Sequence, residues 1–137
     1  MKWKDITVGN IIKVLKNEVI PADILILKSS ADNGFCYLQT TNLDGESALK
    51  ARETPVIFQE LVFKEKELKT LKGIIEIDPP DNNIYKVEGT IIIENYEKCH
   101  FDVNNILLRG GALKNVDYVY GLIVYTGNDT KIMQNIQ

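Results

Sequence analysis

The chain reads as a mainly β domain of the β-sandwich or jelly-roll type. Three features predict this. About seven short runs rich in Ile, Val, Leu and Tyr are separated by clusters of Asn, Asp, Gly and Pro, the pattern of short strands joined by turns. One run, Ile24-Leu25-Ile26-Leu27-Lys28, is almost continuously aliphatic, as a strand buried on both faces should be. At 137 residues the chain has the length of one domain, 1–137, and can bury about two-thirds of the surface its unfolded form exposes.

Taken in order, Trp3 to Asn10 leads into Ile11-Ile12-Lys13-Val14-Leu15, a β-rich run closed by the turn Lys16-Asn17-Glu18. Pro21-Ala22-Asp23 opens the aliphatic strand. Proline is well placed ahead of it, having no N–H to give to a ladder. Residues 29–34 are a loop by composition. Phe35 to Thr40 is a short strand with aromatic and β-branched residues, whereas Ser47-Ala48-Leu49-Lys50-Ala51-Arg52 is rich in helix formers.

Between Phe58 and Lys72, Leu61, Phe63, Leu68 and Leu71 are interspersed with charges, including Glu65 and Lys69 in the favourable i, i+4 order. This segment predicts a short peripheral helix or an irregular excursion over the surface. β character returns at Ile74-Ile75-Glu76-Ile77. It resumes after the breaker Asp78-Pro79-Pro80-Asp81 in Tyr85 to Ile93, in Ile106-Leu107-Leu108 and in Tyr118 to Tyr125.

The chain is organised around Leu38 to Ser47, where Asp44-Gly45-Glu46 sets two carboxylates on either side of a residue free to take positive φ. Such a turn holds an acid out where another molecule can reach it, and loops on a rigid β scaffold often carry chemistry. Asp-Gly also punctuates ordinary hairpins, and an exposed Glu is ordinarily a solvated acid, so the turn alone assigns nothing.

Five segments carry a resemblance: Val8-Gly9-Asn10-Ile11-Ile12, Pro21-Ala22-Asp23-Ile24-Leu25, Thr41 to Lys50, Leu107-Leu108-Arg109-Gly110, and Tyr125-Thr126-Gly127-Asn128-Asp129-Thr130-Lys131. In this order, from about Trp3 to Asn135, the chain resembles the actuator domain of P-type ATPases, and within them the type IV phospholipid flippases. The resemblance implies a distorted jelly-roll domain that turns its acidic loop onto a phosphorylated aspartate of another domain. Glu46 would position and activate the attacking water there. Gly45 would let the loop backbone approach the phosphate, and Asp44 and Ser47 would shape and anchor the turn. Ser47 stands where flippases usually have threonine, keeping the hydroxyl, and Asn10 stands where the family usually has aspartate.

The resemblance further implies that the chain is a fragment of a membrane ATPase, lying at the cytosolic face. Its partners would be the phosphorylation and nucleotide-binding domains of the same protein, a phospholipid reaching the membrane domain, and potentially an accessory subunit. ATP and Mg2+ would serve the parent protein, and no cofactor is expected in this fragment. The sequence contains neither Asp-Lys-Thr-Gly nor a glycine-rich phosphate loop, so the isolated chain is not expected to hydrolyse ATP. Two other readings stand beside this one: the actuator of a cation pump, and a non-catalytic β-sandwich interaction module whose acidic turn is only a surface loop.

Composition narrows the field. Net charge is −3 with both signs interspersed, without the basic face of a nucleic-acid binder. Cys36, Cys99 and His100 supply at most three metal ligands where a structural zinc site takes four. So sparse a pair of cysteines fits a reducing setting, with a single bridge left open. No apolar run approaches the ~20 residues that span a bilayer, and no signal peptide is visible. Asp23 reads as a strand-start acceptor more than a functional charge. Arg109 has two readings, a phosphate or domain contact and a packed stem paired with an acid; the residue type favours the second. Tyr118 and Tyr120 point one way and Tyr125 the other, which reads as sheet packing.

Overall fold

The computed structural model describes residues 2–5, 11–41, 45, 47–60, 73–77, 88–93 and 96–125. Its strands are β1 (Lys2–Asp5), β2 (Ile11–Leu15), β3 (Asp23–Ser29), β4 (Phe35–Thr41), β5 (Ser47–Glu53), β6 (Gly73–Ile77), β7 (Glu88–Ile93), β8 (Cys99–Asp102), β9 (Ile106–Leu107), β10 (Ala112–Lys114) and β11 (Tyr118–Tyr125). A short helix α1 (Val56–Glu60) and a 3-10 turn (Val103–Asn105) complete the described elements. The fold is mainly β, as the sequence predicts.

Three antiparallel sheets form, with strand orders β1-β6-β7-β8, β10-β4-β5 and β2-β11-β3-β9. The last is the middle layer, and β3 shows why its sequence is aliphatic on every side. Leu25 and Leu27 pack into one core with Ile75, Ile91, Ile93 and Phe101 of β6 to β8 and with Ile57 and Phe58 of α1. Ile24 and Ile26 face the opposite way, into a second core with Cys36 and Leu38 of β4 and Leu113 of β10. Side chains alternate faces along a strand, so a strand with a core on each side must be apolar at both parities.

The predicted turn after β2 is present. Asn17 takes φ +71, in the left-handed region that asparagine tolerates better than most residues. The Glu18 carboxylate accepts the Leu15 N–H at 2.6 Å. The run rich in helix formers behaves otherwise: Ser47–Glu53 is strand β5, paired along its whole length with β4 from Thr41↔Ser47 to Phe35↔Glu53. Its exposure alternates up to the buried Arg52, so packing on β4 overrides weak helical propensity. The excursion starting at Phe58 is helical through Glu60, and Glu65 and Lys69 lie outside the described residues.

Candidate functional site

The acidic turn closes the β4–β5 hairpin, and the hairpin is fixed at its other end. Cys36 and Leu38 of β4 are fully buried. Opposite Cys36, Arg52 is buried and donates from Nε to the Ile106 carbonyl at 3.0 Å and from Nη1 to the Ala51 carbonyl at 3.1 Å. Asn105 donates from Nδ2 to the Glu53 carbonyl at 2.9 Å. The Asp102 carboxylate caps the 3-10 turn by accepting the Asn104 N–H at 2.9 Å. The turn is thereby stitched to β5 at residues 52 and 53.

Burial lowers the Arg52 pKa, opposed by the charges of Cys36 and Asp102. Burial also pushes the Cys36 thiol up to about 12, with the Arg52 charge working against it. Cys36 is therefore an inert core thiol, not a nucleophile. It forms no disulfide with Cys99.

Strand direction shows which parts of the sequence meet. β2 and β3 both run antiparallel to β11, so Ile11 and Asp23, where they begin, lie at the end where β11 finishes. β9 runs antiparallel to β3 and delivers Leu108-Arg109-Gly110 to that same end. β10 starts from there and pairs antiparallel with β4, which brings Thr41 and Ser47 to it as well. Ile11, Asp23, Thr41 with Ser47, Leu107 and Tyr125, one or two described residues from each of the five segments, thus lie at one end of the molecule.

Hydrogen bonds tie two of these segments together. The fully buried Asp23 accepts the Arg109 backbone N–H on Oδ1 at 2.8 Å, which is the strand-start acceptor role read from the sequence. Gly110 N–H donates to the Ile20 carbonyl at 2.9 Å, and Ile20 N–H to the Gly111 carbonyl at 2.7 Å. Gly111 lies so close to the Leu38 side chain that a Cβ there would collide with it. This turn therefore rests directly on the strand that leads to the acidic loop.

Of the loop residues, Gly45 has φ +88 and is exposed, with nothing within 4 Å of where a Cβ would stand. Glycine is required there by backbone conformation, not crowding. Ser47 is exposed as the first residue of β5, opposite Thr41. Asp44 and Glu46 lie outside the described residues, as do residues 6–10 and 126–131.

The other candidates fall elsewhere. His100 is exposed on β8 opposite Thr90. Among the described residues no group of His, Cys, Asp or Glu could hold a metal ion. Tyr118 and Tyr120 stack edge to face at 5.6 Å with Lys13 over both rings, as sheet-surface packing. Arg109 is exposed, and its backbone, not its guanidinium, meets the acid. A polar cleft of about 240 Å³, lined by Ser30, Gly34, Thr54, Phe58 and Tyr118 among others, lies at the opposite end of β3, β4 and β11. No described helix is long and apolar enough to cross a membrane.

The anchor formed by Arg52 and Asn105 was not foreseen from sequence. The only local signal for it is Asp102-Val103-Asn104-Asn105, a capping pattern.

Comparison with known proteins gives a consistent result. Over 98% of its length the chain is 44% identical to mouse phospholipid-transporting ATPase IC, and 42% identical to the human protein of that name. Over the same share it is 39% identical to phospholipid-transporting ATPase 10 of Arabidopsis thaliana. It spans 11% of the length of each of these relatives. No protein-family model matches the chain.

Proposed function

We propose that this chain, which belongs over 98% of its length with one segment of the phospholipid-transporting ATPases, is the actuator domain of such a pump. In this reading Glu46 drives dephosphorylation of an aspartyl-phosphate formed on another domain. The observation that carries it is that the described strand ends of the five segments, including both that flank the acidic loop, lie at one end of the fold.

The chemistry follows from what an acyl-phosphate requires. A water attacks phosphorus in line, the bond from phosphorus to the aspartyl oxygen breaks, and the water's proton passes to a base. Inorganic phosphate and a free aspartate remain. A positioned carboxylate that orients the water and accepts its proton supplies roughly 10²–10⁴-fold. Glu46 is that carboxylate. Gly45 at positive φ turns the backbone so that the loop can be presented, and in this reading Asp44 and Ser47 shape and anchor the turn. The buried anchor at Arg52 and Asn105 makes the hairpin a stiff arm, so a rotation of the domain is delivered to the loop without loss.

ATP and Mg2+ act on the other domains of the parent, which lies with this domain at the cytosolic face of its membrane. The phospholipid passes through the membrane part, and an accessory subunit completes the proposed set of partners. Phospholipid as cargo is tested by chasing labelled phosphoenzyme of the full-length parent with phosphatidylserine or with monovalent and divalent cations. Lipid-stimulated decay is expected; decay stimulated by cations alone would reassign the domain to a cation pump, the reading that Ser47 leaves open.

A further inference from the structure

We propose that Asn33 is a modification site, deamidated spontaneously through its neighbour Gly34 whenever the turn that joins β3 to β4 opens. It is the one asparagine in the sequence followed by glycine, and it is exposed. Glycine has no side chain to shield its nitrogen, so an Asn-Gly step is where this reaction is least hindered. Three observations make its rate a property of the fold.

First, both reacting groups are occupied in the closed turn. The Gly34 N–H donates to the Ala31 carbonyl at 3.0 Å, and Asn33 Oδ1 accepts the Phe35 N–H at 3.1 Å. The attacking nitrogen keeps its proton, and the amide it would attack is held by its own local turn. Second, the turn has little to keep it shut. Asp32, Asn33 and Phe35 are exposed, leaving Gly34 as the buried residue, its carbonyl accepting the Thr54 N–H at 3.1 Å. Backbone with few buried contacts opens locally at well below the cost of global unfolding. Third, closure leaves a buried group unsatisfied. Thr54 is 2% exposed, and its Oγ1, which lies where a Cβ on Gly34 would collide with it, has no hydrogen-bond partner among the described residues. Opening admits water to that hydroxyl and so offsets part of the cost of opening.

Once the turn is open, the Gly34 nitrogen gives its proton to solvent and attacks Asn33 Cγ. The new N–C bond closes a five-membered imide as the bond from Cγ to Nδ2 breaks and ammonia leaves. Water then opens the ring at either carbonyl. Breaking the new bond yields aspartate in an unchanged main chain, whereas breaking the original peptide bond yields isoaspartate, with the main chain longer by one methylene. The fold receives the two differently. Aspartate keeps an oxygen for the Phe35 N–H and adds a charge next to Asp32, which lines the polar cleft. Isoaspartate displaces Gly34, which has no room towards Thr54, and releases the Thr54 N–H.

The test ages the full-length parent at neutral pH beside a synthetic peptide of residues 28–38 and counts the products at Asn33 by peptide mass spectrometry. The folded protein should deamidate at Asn33, roughly tenfold or more slowly than the peptide. Thr54→Val, which removes the unsatisfied hydroxyl, should slow the folded protein about a further fivefold. Asn33→Asp should keep the wild-type Tm, and the Tm of aged protein should fall with its isoaspartate content alone. Equal rates in protein and peptide would overturn control by the turn. No product in the folded protein once the peptide has fully reacted would overturn the site itself. A stable Thr54→Val that reacts at the wild-type rate would remove the hydroxyl from the account; should that variant not fold, the comparison of protein with peptide still decides.

Discussion

Two glycines near the acidic loop are needed for different reasons, and substitution should separate them. At Gly45 a methyl group meets open space but the backbone sits at φ +88, so Gly45→Ala should cost about 1 kcal/mol by strain alone. At Gly111 the methyl would collide with Leu38 and stand 3.1 Å from the Gln39 carbonyl, so Gly111→Ala should cost more, about 1–3 kcal/mol. Urea denaturation of the isolated chain reports both; equal losses would contradict the distinction. Cys36 supplies a pH-dependent prediction. Its folded-state pKa is raised from 9.0 to about 12, so above pH 9 the unfolded chain releases a proton that the folded chain keeps. The stability that this thiol contributes is complete below pH 9 and is lost as pH rises towards 12. A plot of Tm against pH should therefore fall less steeply over that range in Cys36→Ala than in wild type. The Gly45 requirement is legible in the Asp-Gly-Glu turn, whereas the Gly111 and Cys36 effects are not, since both depend on what lies across the fold.

At the scale of elements, β3 could be read from its residues because a strand with a core on each face leaves no polar parity. Its prediction is symmetrical. Leu25→Ala and Ile24→Ala empty different cores, and each should cost about 2–5 kcal/mol. Leu49→Ala on β5, at 54% exposure, should stay within about 0.5 kcal/mol. β5 was illegible for a physical reason. Ala, Leu, Lys and Arg favour helix weakly, and what makes them a strand is β4, together with a carbonyl 54 positions away that accepts from Arg52. Arg52→Met would leave the Ile106 carbonyl without this donor and loosen the 3-10 turn, for a loss of about 1–3 kcal/mol by thermal melting. Wild-type stability would mean that the hairpin is held by pairing alone. The short strands β8 and β10 carry too few residues to stand out from the turns around them.

For the molecule as a whole, the three-layer arrangement puts the polar cleft at one end and the described strand ends of the quoted segments at the other, separated by about 20 Å, the length of a seven-residue strand such as β3. Those strand ends look scattered along the sequence because strand direction, not proximity in the chain, brings them together. The loop candidates themselves were legible as chemistry, two acids around a glycine. Asp23 was legible as an acceptor, but its partner, the Arg109 turn, was not, and neither was Arg52 holding the hairpin. The isolated chain should fold on its own two cores and unfold in one cooperative transition. It should show no ATP hydrolysis above background, because its sequence contains no Asp-Lys-Thr-Gly and no glycine-rich phosphate loop. Hydrolysis by the purified chain would contradict the account at this scale.

The most direct test of the central claim is the decay of phosphoenzyme in the full-length parent, by acid quench after an excess of unlabelled ATP, in wild type and Glu46→Gln. If Glu46 positions and activates the water, the variant should form phosphoenzyme at the normal rate and lose it roughly 10²–10⁴-fold more slowly. Decay at the wild-type rate would make Glu46 a surface acid and the hairpin a structural loop.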